Sequence, residues 1–322
     1  MTPVPAVDRT DGPLTLSTFQ SLWAMEDLPH RGDQPWSLGE QVDRIAGAGF
    51  DGLAVDLGAR QAPRADAIGP LARDAGLRTA VFAFLDGAPT GSTSLANALT
   101  YAASIGARDL VVCGQAFDPD PARLAAVVHD WFTRAADAGV RLQLETHRNT
   151  MTNDIRATAR LLDALDPAVT VAVDLSHHVC GCELPDGHHP ETEALVDRIL
   201  DRAGSLQGRI ATRGQVQVPL DYPVHAAAVD RFRDWWTRGF AAIRRRRAAG
   251  EDLPGDVIFC CELGTTPYAI TGPDGHQLSD RWAEALTLRD WALQAFAASA
   301  AHPAADPLSA TAGRPAPVEI AS

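Results

Sequence analysis

The sequence lacks the long hydrophobic runs of membrane proteins. No run approaches the ~18 consecutive apolar residues of a membrane-spanning helix. The first dozen residues contain Pro3, Pro5 and several charges, without the apolar core of a secretory signal. The cysteines number only 5, with no framework of regular spacings. We therefore expect a cytoplasmic protein in a reducing compartment, without a membrane partner.

The chain also lacks an excess of positive charge. Lys and Arg total 28 against 41 Asp and Glu, so the formal net charge is -13. An acidic surface disfavours non-specific binding to nucleic acids or anionic membranes. The nucleotide-binding patterns G-x-G-x-x-G after the first predicted strand and G-x-x-x-x-G-K-[ST] are missing as well. These absences leave an ordinary globular protein, in which 46% of the 322 residues are hydrophobic.

The sequence does contain a repeated alternation of strand and helix patterns. Eight apolar segments alternate with amphipathic segments, and glycines such as Gly49, Gly76 and Gly106 follow the predicted helices. This pattern predicts an α/β protein with the (β/α)8 TIM barrel fold, and a doubly wound sheet is the alternative. We expect the barrel over residues 14–300, a disordered lead over 1–13 and a disordered, Ala/Pro-rich tail over 301–322. The predicted strands are 14–20, 52–57, 77–84, 109–113, 140–145, 169–174, 208–213 and 256–262.

Three acidic residues stand at the ends of predicted strands. Glu145 ends the fifth strand, Asp174 the sixth and Glu262 the eighth. Since side chains alternate along a strand, all three can face the barrel interior at the carboxyl end, where barrel sites form. Unpaired, they would repel one another, and a divalent cation removes that cost. Oxygen ligands favour Mn²⁺ or Mg²⁺, with Zn²⁺ or Co²⁺ as alternatives. Without a metal, the three acids would be helix caps or partners in ion pairs.

Three short segments carry a resemblance to a known family. They are E-T-H-R at 145–148, D-L-S-H at 174–177, and E-L-G at 262–264 followed by P-Y at 267–268. They resemble the xylose isomerase-like TIM-barrel superfamily, which holds sugar isomerases, ketose epimerases and the endonuclease IV branch. The resemblance extends over residues 14–297. It implies that Glu145, Asp174 and Glu262 bind one metal ion and that His177 contacts the substrate.

One position departs from the family pattern. The resemblance implies a metal-binding histidine in the seventh strand, often two residues before an arginine. With this strand predicted at 208–213, Arg213 is that arginine and the expected histidine position is Ala211. The sequence leaves open whether water, substrate, His147 or His177 replaces this ligand, or whether metal binding is weak or lost.

The resemblance implies a function in carbohydrate metabolism. The expected reaction is proton transfer next to a carbonyl group of a sugar, sugar phosphate or related polyol, with Glu145 or Glu262 as the base. His147 and His177 would contact the substrate. Arg213 has the planar fork that binds a carboxylate or phosphate, and its alternative is an ion pair with Asp174 or Glu262.

Three other functions are alternatives. A lyase or dehydratase on an oxidised sugar or glycoside would use the same metal and bases. A nuclease of the endonuclease IV type would need a histidine-rich site and a basic face, which the net charge and Ala211 argue against. Ala211 also supports a barrel without catalytic activity that serves as a partner subunit. The sequence leaves the oligomeric state open, a homo-oligomer included.

Overall fold

The computed structural model describes residues 12–302, and its centre is a closed barrel of eight parallel strands in sequence order. The first strand closes the barrel by pairing with the last from Thr15–Asp256 to Gln20–Cys261. The predicted (β/α)8 TIM barrel is confirmed. Residues 1–11 and 303–322, which hold most of the predicted lead and tail, lie outside the described residues. The strands β1–β8 are Thr15–Ser21, Gly52–Asp56, Arg78–Leu85, Asp109–Gly114, Arg141–Glu145, Thr170–Val173, Ala203–Gly208 and Asp256–Cys261.

Helices connect the strands and pack around the barrel. Two short 3-10 helices, Trp23–Met25 and Pro223–His225, join them. Within the described residues no helix is both long and apolar enough to cross a membrane. The helices α1–α9 are Leu38–Gly47, Ala65–Asp74, Leu95–Ile105, Pro121–Asp137, Ile155–Ala164, Leu175–Gly181, Pro190–Leu200, Ala226–Ala248 and Arg281–Ala298.

Side-chain caps fix where several helices begin. Ser37 and Glu40 form a capping box at α1, in which each side chain bonds the backbone N–H of the other residue. Asp154 accepts a hydrogen bond from the backbone N–H of Ala157 at the start of α5. These caps set the first residues of the two helices at Leu38 and Ile155.

The barrel has one core inside and a larger one outside. Leu142 and Leu144 of β5 pack outside, between the barrel and its helices. Gln143, between them in the chain, points inward and accepts a 2.6 Å hydrogen bond from the Ser205 hydroxyl. The inner core consists of Phe19, Ala54, Ala80, Phe82, Val111, Ala172, Ile258 and Cys260. The alternation that places Glu145 on the inward side of β5 is therefore present in the structure.

The seventh strand differs from its predicted position. The apolar residues at 210 and 211 favoured a strand at 208–213, but β7 runs from Ala203 to Gly208. Its glycines serve close packing: a Cβ at Gly204 would lie 2.4 Å from Thr170 Oγ1, and one at Gly208 would lie 2.6 Å from the Phe259 ring. Glycine-rich strands have weak sequence signals, since glycine disfavours strands in general. The residue that directly follows β7 is therefore Arg209.

Gly52 and Phe19 provide a test of packing inside the barrel. A Cβ at Gly52 would meet the Phe19 ring at 2.5 Å, so Gly52→Ala should lower the free energy of unfolding by ~1–3 kcal/mol. Phe19→Leu removes the ring atoms that the new methyl group meets. The double variant should therefore lose less free energy of unfolding than the two single variants lose together, as measured by urea unfolding.

Gly39 is the matched control, because it lies in α1 and a Cβ added there would have no atom within 4 Å. Gly39→Ala should raise stability by up to ~1 kcal/mol. Additive effects of Gly52→Ala and Phe19→Leu would show that these two residues do not compete for space.

Candidate functional site

The three predicted acids converge at the carboxyl-terminal mouth of the barrel. Glu145 is the last residue of β5, and Asp174 and Glu262 directly follow β6 and β8. All three are buried. Asp174 also caps α6, a short helix that sequence reasoning missed, by accepting a hydrogen bond from the Ser176 N–H at 2.8 Å. The same carboxylate thus belongs to the site and begins a helix.

A buried arginine lies among these acids. Nη2 of Arg209 donates a 2.8 Å hydrogen bond to Glu262 Oε2. Nε of Arg209 lies 3.0 Å from Asp174 Oδ2, within ion-pair distance but without the alignment of a hydrogen bond. Burial works against the charge of Arg209, but attraction by Asp174, Glu262 and Glu145 outweighs it and raises the arginine's pKa. The guanidinium is therefore a permanent positive charge at the mouth.

Burial also changes the proton affinities of the acids. It raises the pKa of Glu145 well above its ordinary value, and the charge of Glu262 adds to the effect. It raises the pKa of Glu262 to about 7, against the opposing attraction of Arg209. The pKa of Asp174 is raised as well, by burial. Buried carboxyl groups with raised pKa values are suited to exchange protons with a ligand near neutral pH.

The histidines that follow the acids lie at different depths. His147 lines the mouth, and its ring contacts that of His177, which is completely buried, with 3.8 Å between the centroids and 45° between the ring planes. Burial lowers the pKa of His147 to about 3 and that of His177 well below its ordinary value, so both rings are neutral. His178 points away and contacts the Thr152 carbonyl at 2.8 Å. The neighbouring residues His177 and His178 therefore face different surroundings.

The structure places Arg213 and Ala211 away from the mouth. The Arg213 side chain is 53% exposed, and its nearest acidic partner is Glu183, with Nη2 and Oε2 3.8 Å apart. Ala211 is buried in the outer core. With β7 ending at Gly208, the position equivalent to those of Asp174 and Glu262 is Arg209. Placing the strand five residues earlier in the sequence would have identified it.

A cavity of about 300 Å³ opens between these residues and solvent. Aromatic rings form much of its wall, namely Trp23, Phe82, Phe84 and Tyr268. Its charged residues are four acids, Glu26, Asp56, Glu145 and Glu262, and two arginines, Arg60 and Arg209. The cavity is at the small end of ligand pockets, and its acids outnumber its cations.

Several of these residues have no clear signal in the sequence. Cys113 at the end of β4 donates a 3.0 Å hydrogen bond to Glu145 Oε2. Trp23 can lie at the mouth because residue 264 is glycine, where a Cβ would meet the ring at 1.8 Å. Asp56 could have been found as another acid at a strand end. Trp23 and Cys113 take their places from tertiary contacts with distant residues.

The sites for a metal ion are more limited than the sequence suggested. Among the described residues, two groups bring ligand atoms within 4.8 Å of one another: Cys113, Glu145 and His147, and Glu145, Asp174 and His177. Glu262 is in neither. An ion on Asp174 Oδ2 would face the Arg209 guanidinium, and two like unit charges 4 Å apart repel by about 4 kcal/mol even at an effective dielectric constant of about 20. This arrangement does not fit a divalent ion held by Glu145, Asp174 and Glu262.

Comparison with known proteins identifies the protein family of this chain. A model of the xylose isomerase-like TIM barrel family matches residues 42–207, just over half of the chain. No curated protein sequence matches significantly.

Solved structures share the fold. An L-ribulose 3-epimerase superposes with a TM-score of 0.54 at 14% identity, over 95% of this chain and 100% of its own. A D-allulose 3-epimerase from Methylomonas sp. gives 0.53 at 16% identity, over 89% and 99%. A probable 3-DHS dehydratase from Bacillus anthracis, involved in petrobactin synthesis, gives 0.51 at 14% identity, over 85% and 98%. At these identities the likeness shows the fold.

Asp56 provides a test of the electrostatics at the mouth. Burial raises its pKa from 3.8 to about 6, so the folded protein holds this proton where the unfolded chain has lost it. The contribution of Asp56 to stability should therefore fall as pH rises from about 4 to about 7. Asp56→Asn removes the titration and keeps an oxygen for the Gly58 N–H. The variant's free energy of unfolding, minus that of the wild type, should increase across this range in urea titrations.

Asp86→Asn is the control. Hydrogen bonds from the Ala88 N–H and the Thr93 hydroxyl lower the pKa of Asp86, so its contribution to stability grows as pH rises. Because that growth takes place mainly below the ordinary pKa of 3.8, the stability difference for Asp86→Asn should stay nearly constant from about pH 4 to about pH 7. A parallel response of the two variants would contradict the raised pKa of Asp56.

Proposed function

Because the chain belongs to the xylose isomerase-like TIM barrel family, we propose that it is an isomerase or epimerase that moves a proton next to the carbonyl group of a sugar or related polyol. The observation that carries this proposal is the pair Glu145 and Glu262, two buried carboxyl groups with raised pKa values that line one pocket. Epimerases and a dehydratase among the proteins that share the fold support the reaction class.

The two glutamates would act as base and acid. Glu262, with a pKa of about 7, takes the proton from the carbon next to the carbonyl group. The electron pair moves onto the carbonyl oxygen and gives an enediolate. Glu145, whose pKa burial raises well above its ordinary value, returns a proton to the opposite face of the same carbon and inverts it. Return of the proton to the neighbouring carbon gives isomerisation instead.

His147 would orient the substrate. Its Nδ1 contacts the Arg148 carbonyl, and because a carbonyl only accepts, Nδ1 carries the proton and Nε2 is an acceptor. A substrate hydroxyl can donate to Nε2. His177, predicted to contact substrate, is buried behind His147, so we assign it the role of holding the His147 ring in place.

The pocket favours an uncharged substrate. Both of its arginines already pair with acids, so neither is free to bind a phosphate or carboxylate group. Arg60 already pairs with Asp27 at 2.7 Å and Glu26 at 3.3 Å, and Arg209 is bound to the site acids. The aromatic rings offer apolar faces to the C–H side of a sugar. Among the substrates expected from the sequence, we therefore choose an unphosphorylated sugar or polyol over a sugar phosphate.

The function is tested with unphosphorylated ketoses and aldoses in D₂O, followed by NMR. Proton transfer should replace a C–H next to the carbonyl group with deuterium and yield an epimer or isomer of the same mass apart from that label. A product that has lost water would instead identify a dehydratase. Absence of exchange with every sugar in a broad panel would favour the barrel without catalytic activity.

Glu262→Gln should lower kcat by about 10²–10⁴-fold, because the amide cannot take the proton. Glu145→Gln should do so by a similar factor, since it has no proton of the required acidity to give. Initial rates on the sugar that exchanges in D₂O measure both effects, and circular dichroism checks the fold.

Glu251→Gln is the matched control, because Glu251 forms a similar ion pair with Arg246 at 2.8 Å on the surface. It should leave kcat unchanged. Full activity of Glu262→Gln would remove Glu262 from the mechanism.

A further inference from the structure

We propose that Arg209 is the resident cation of this barrel mouth and that its guanidinium takes the place of a divalent metal ion. The role of this cation in the reaction rests on the proposed function, but its location does not. Three independent features of the structure carry it: the position of Arg209 in the fold, its bonds to the acids, and the packing that holds it.

The position of Arg209 is the one from which a barrel presents a site residue. It directly follows β7, as Asp174 follows β6 and Glu262 follows β8. Consecutive strands of a parallel barrel end at the same rim. Arg209 therefore belongs to the same ring of side chains as the acids, on the strand between two of them.

The bonds of Arg209 use the oxygens that a metal would need. Its guanidinium lies 2.8 Å from Glu262 Oε2 and 3.0 Å from Asp174 Oδ2. The other oxygen of Asp174 accepts from the Ser176 N–H, and Glu145 Oε2 accepts from the Cys113 thiol. An ion bound to all three carboxyl groups would have to displace a fixed, bonded positive charge.

Aromatic packing holds the guanidinium over the acids. Its central carbon lies 5.3 Å from the Trp23 ring centroid and 5.9 Å from that of Tyr268, distances at which cation–π attraction operates. The Trp23 ring is in turn pressed against Gly264. Arg209 is almost completely buried, so swinging it into solvent would require these rings to move.

In the proposed reaction, Arg209 would stabilise the carbonyl oxygen in place of a metal ion. Among the described residues, Arg209 has one hydrogen bond, to Glu262, and it lines the pocket. Its remaining N–H groups can donate to the carbonyl oxygen as negative charge develops there. A guanidinium binds through directed hydrogen bonds, so the substrate would not need to chelate an ion through adjacent oxygens.

The test is calorimetric titration of Mn²⁺ without substrate. The wild type should show no saturable binding. Arg209→His removes the fixed charge and supplies an imidazole ligand, so it should gain binding of about one equivalent. Adding Asp174→Asn to Arg209→His should abolish the gain. Arg64→His, which changes an arginine in an exposed ion pair with Asp66, is the matched control for adventitious binding and should behave as the wild type does.

Each other result overturns the inference. Saturable Mn²⁺ binding by the wild type that Asp174→Asn removes would show that the ion and Arg209 coexist. A folded Arg209→His protein that fails to bind would show that the guanidinium is not what excludes the ion. Should Arg209→His unfold without metal, Mn²⁺ should restore its cooperative unfolding transition, and failure to do so also counts against the inference.

The outcome is separate from that of the proposed function. A wild type that binds no Mn²⁺ and turns over no sugar leaves the cation assignment standing and removes the enzyme proposal. A wild type whose turnover disappears with chelator and returns with Mn²⁺ does the reverse.

Discussion

The structure of the mouth depends on the ion pairs between one guanidinium and the surrounding carboxyl groups. Moving each ionised acid out of water costs several kcal/mol, and Glu145, Asp174 and Glu262 are all buried. Arg209 offsets this cost for the two acids it contacts. Glu145 makes no ion pair with that guanidinium among the described residues, and burial raises its pKa well above its ordinary value. The three acids therefore differ in how far the arginine compensates for their burial.

Glycines in the barrel and at its mouth make room for aromatic rings. Phe19 fills the interior against Gly52, and Phe259 packs outside β7 against Gly208. At the mouth, Gly264 admits the Trp23 ring beside Arg209. The same device, a glycine opposite an aromatic ring, thus serves stability in the barrel and the position of the cation at its rim.

Much of this arrangement was predictable from the sequence, and the exceptions have physical causes. The alternating apolar patterns of β5, β6 and β8 placed Glu145, Asp174 and Glu262 at one rim, because strand periodicity is a strong local signal. β7 contains two glycines and a polar Ser205, which fit its neighbours rather than the strand pattern, so it was predicted five residues too late. Because of that shift, Arg213 was predicted to belong to the site and Arg209 was not. Trp23 and Cys113 belong to the site only through tertiary contacts, which no local pattern records.

The pairing of β1 with β8 has a further consequence for how the molecule forms. Synthesis from the amino terminus produces seven strands and the chain through Arg209 before the segment that carries Glu262 exists. Until β8 arrives, the sheet has two open edges, which are prone to pair with other chains. Closure pairs the first strand with the last, which are separated by almost the whole sequence of the barrel. Contacts between residues so far apart in the sequence form slowly during folding. When the last strand pairs with both edges, it also brings Glu262, the second carboxylate, to Arg209. A truncated or nascent chain without that strand therefore has neither a closed sheet nor the full set of ion pairs at the site.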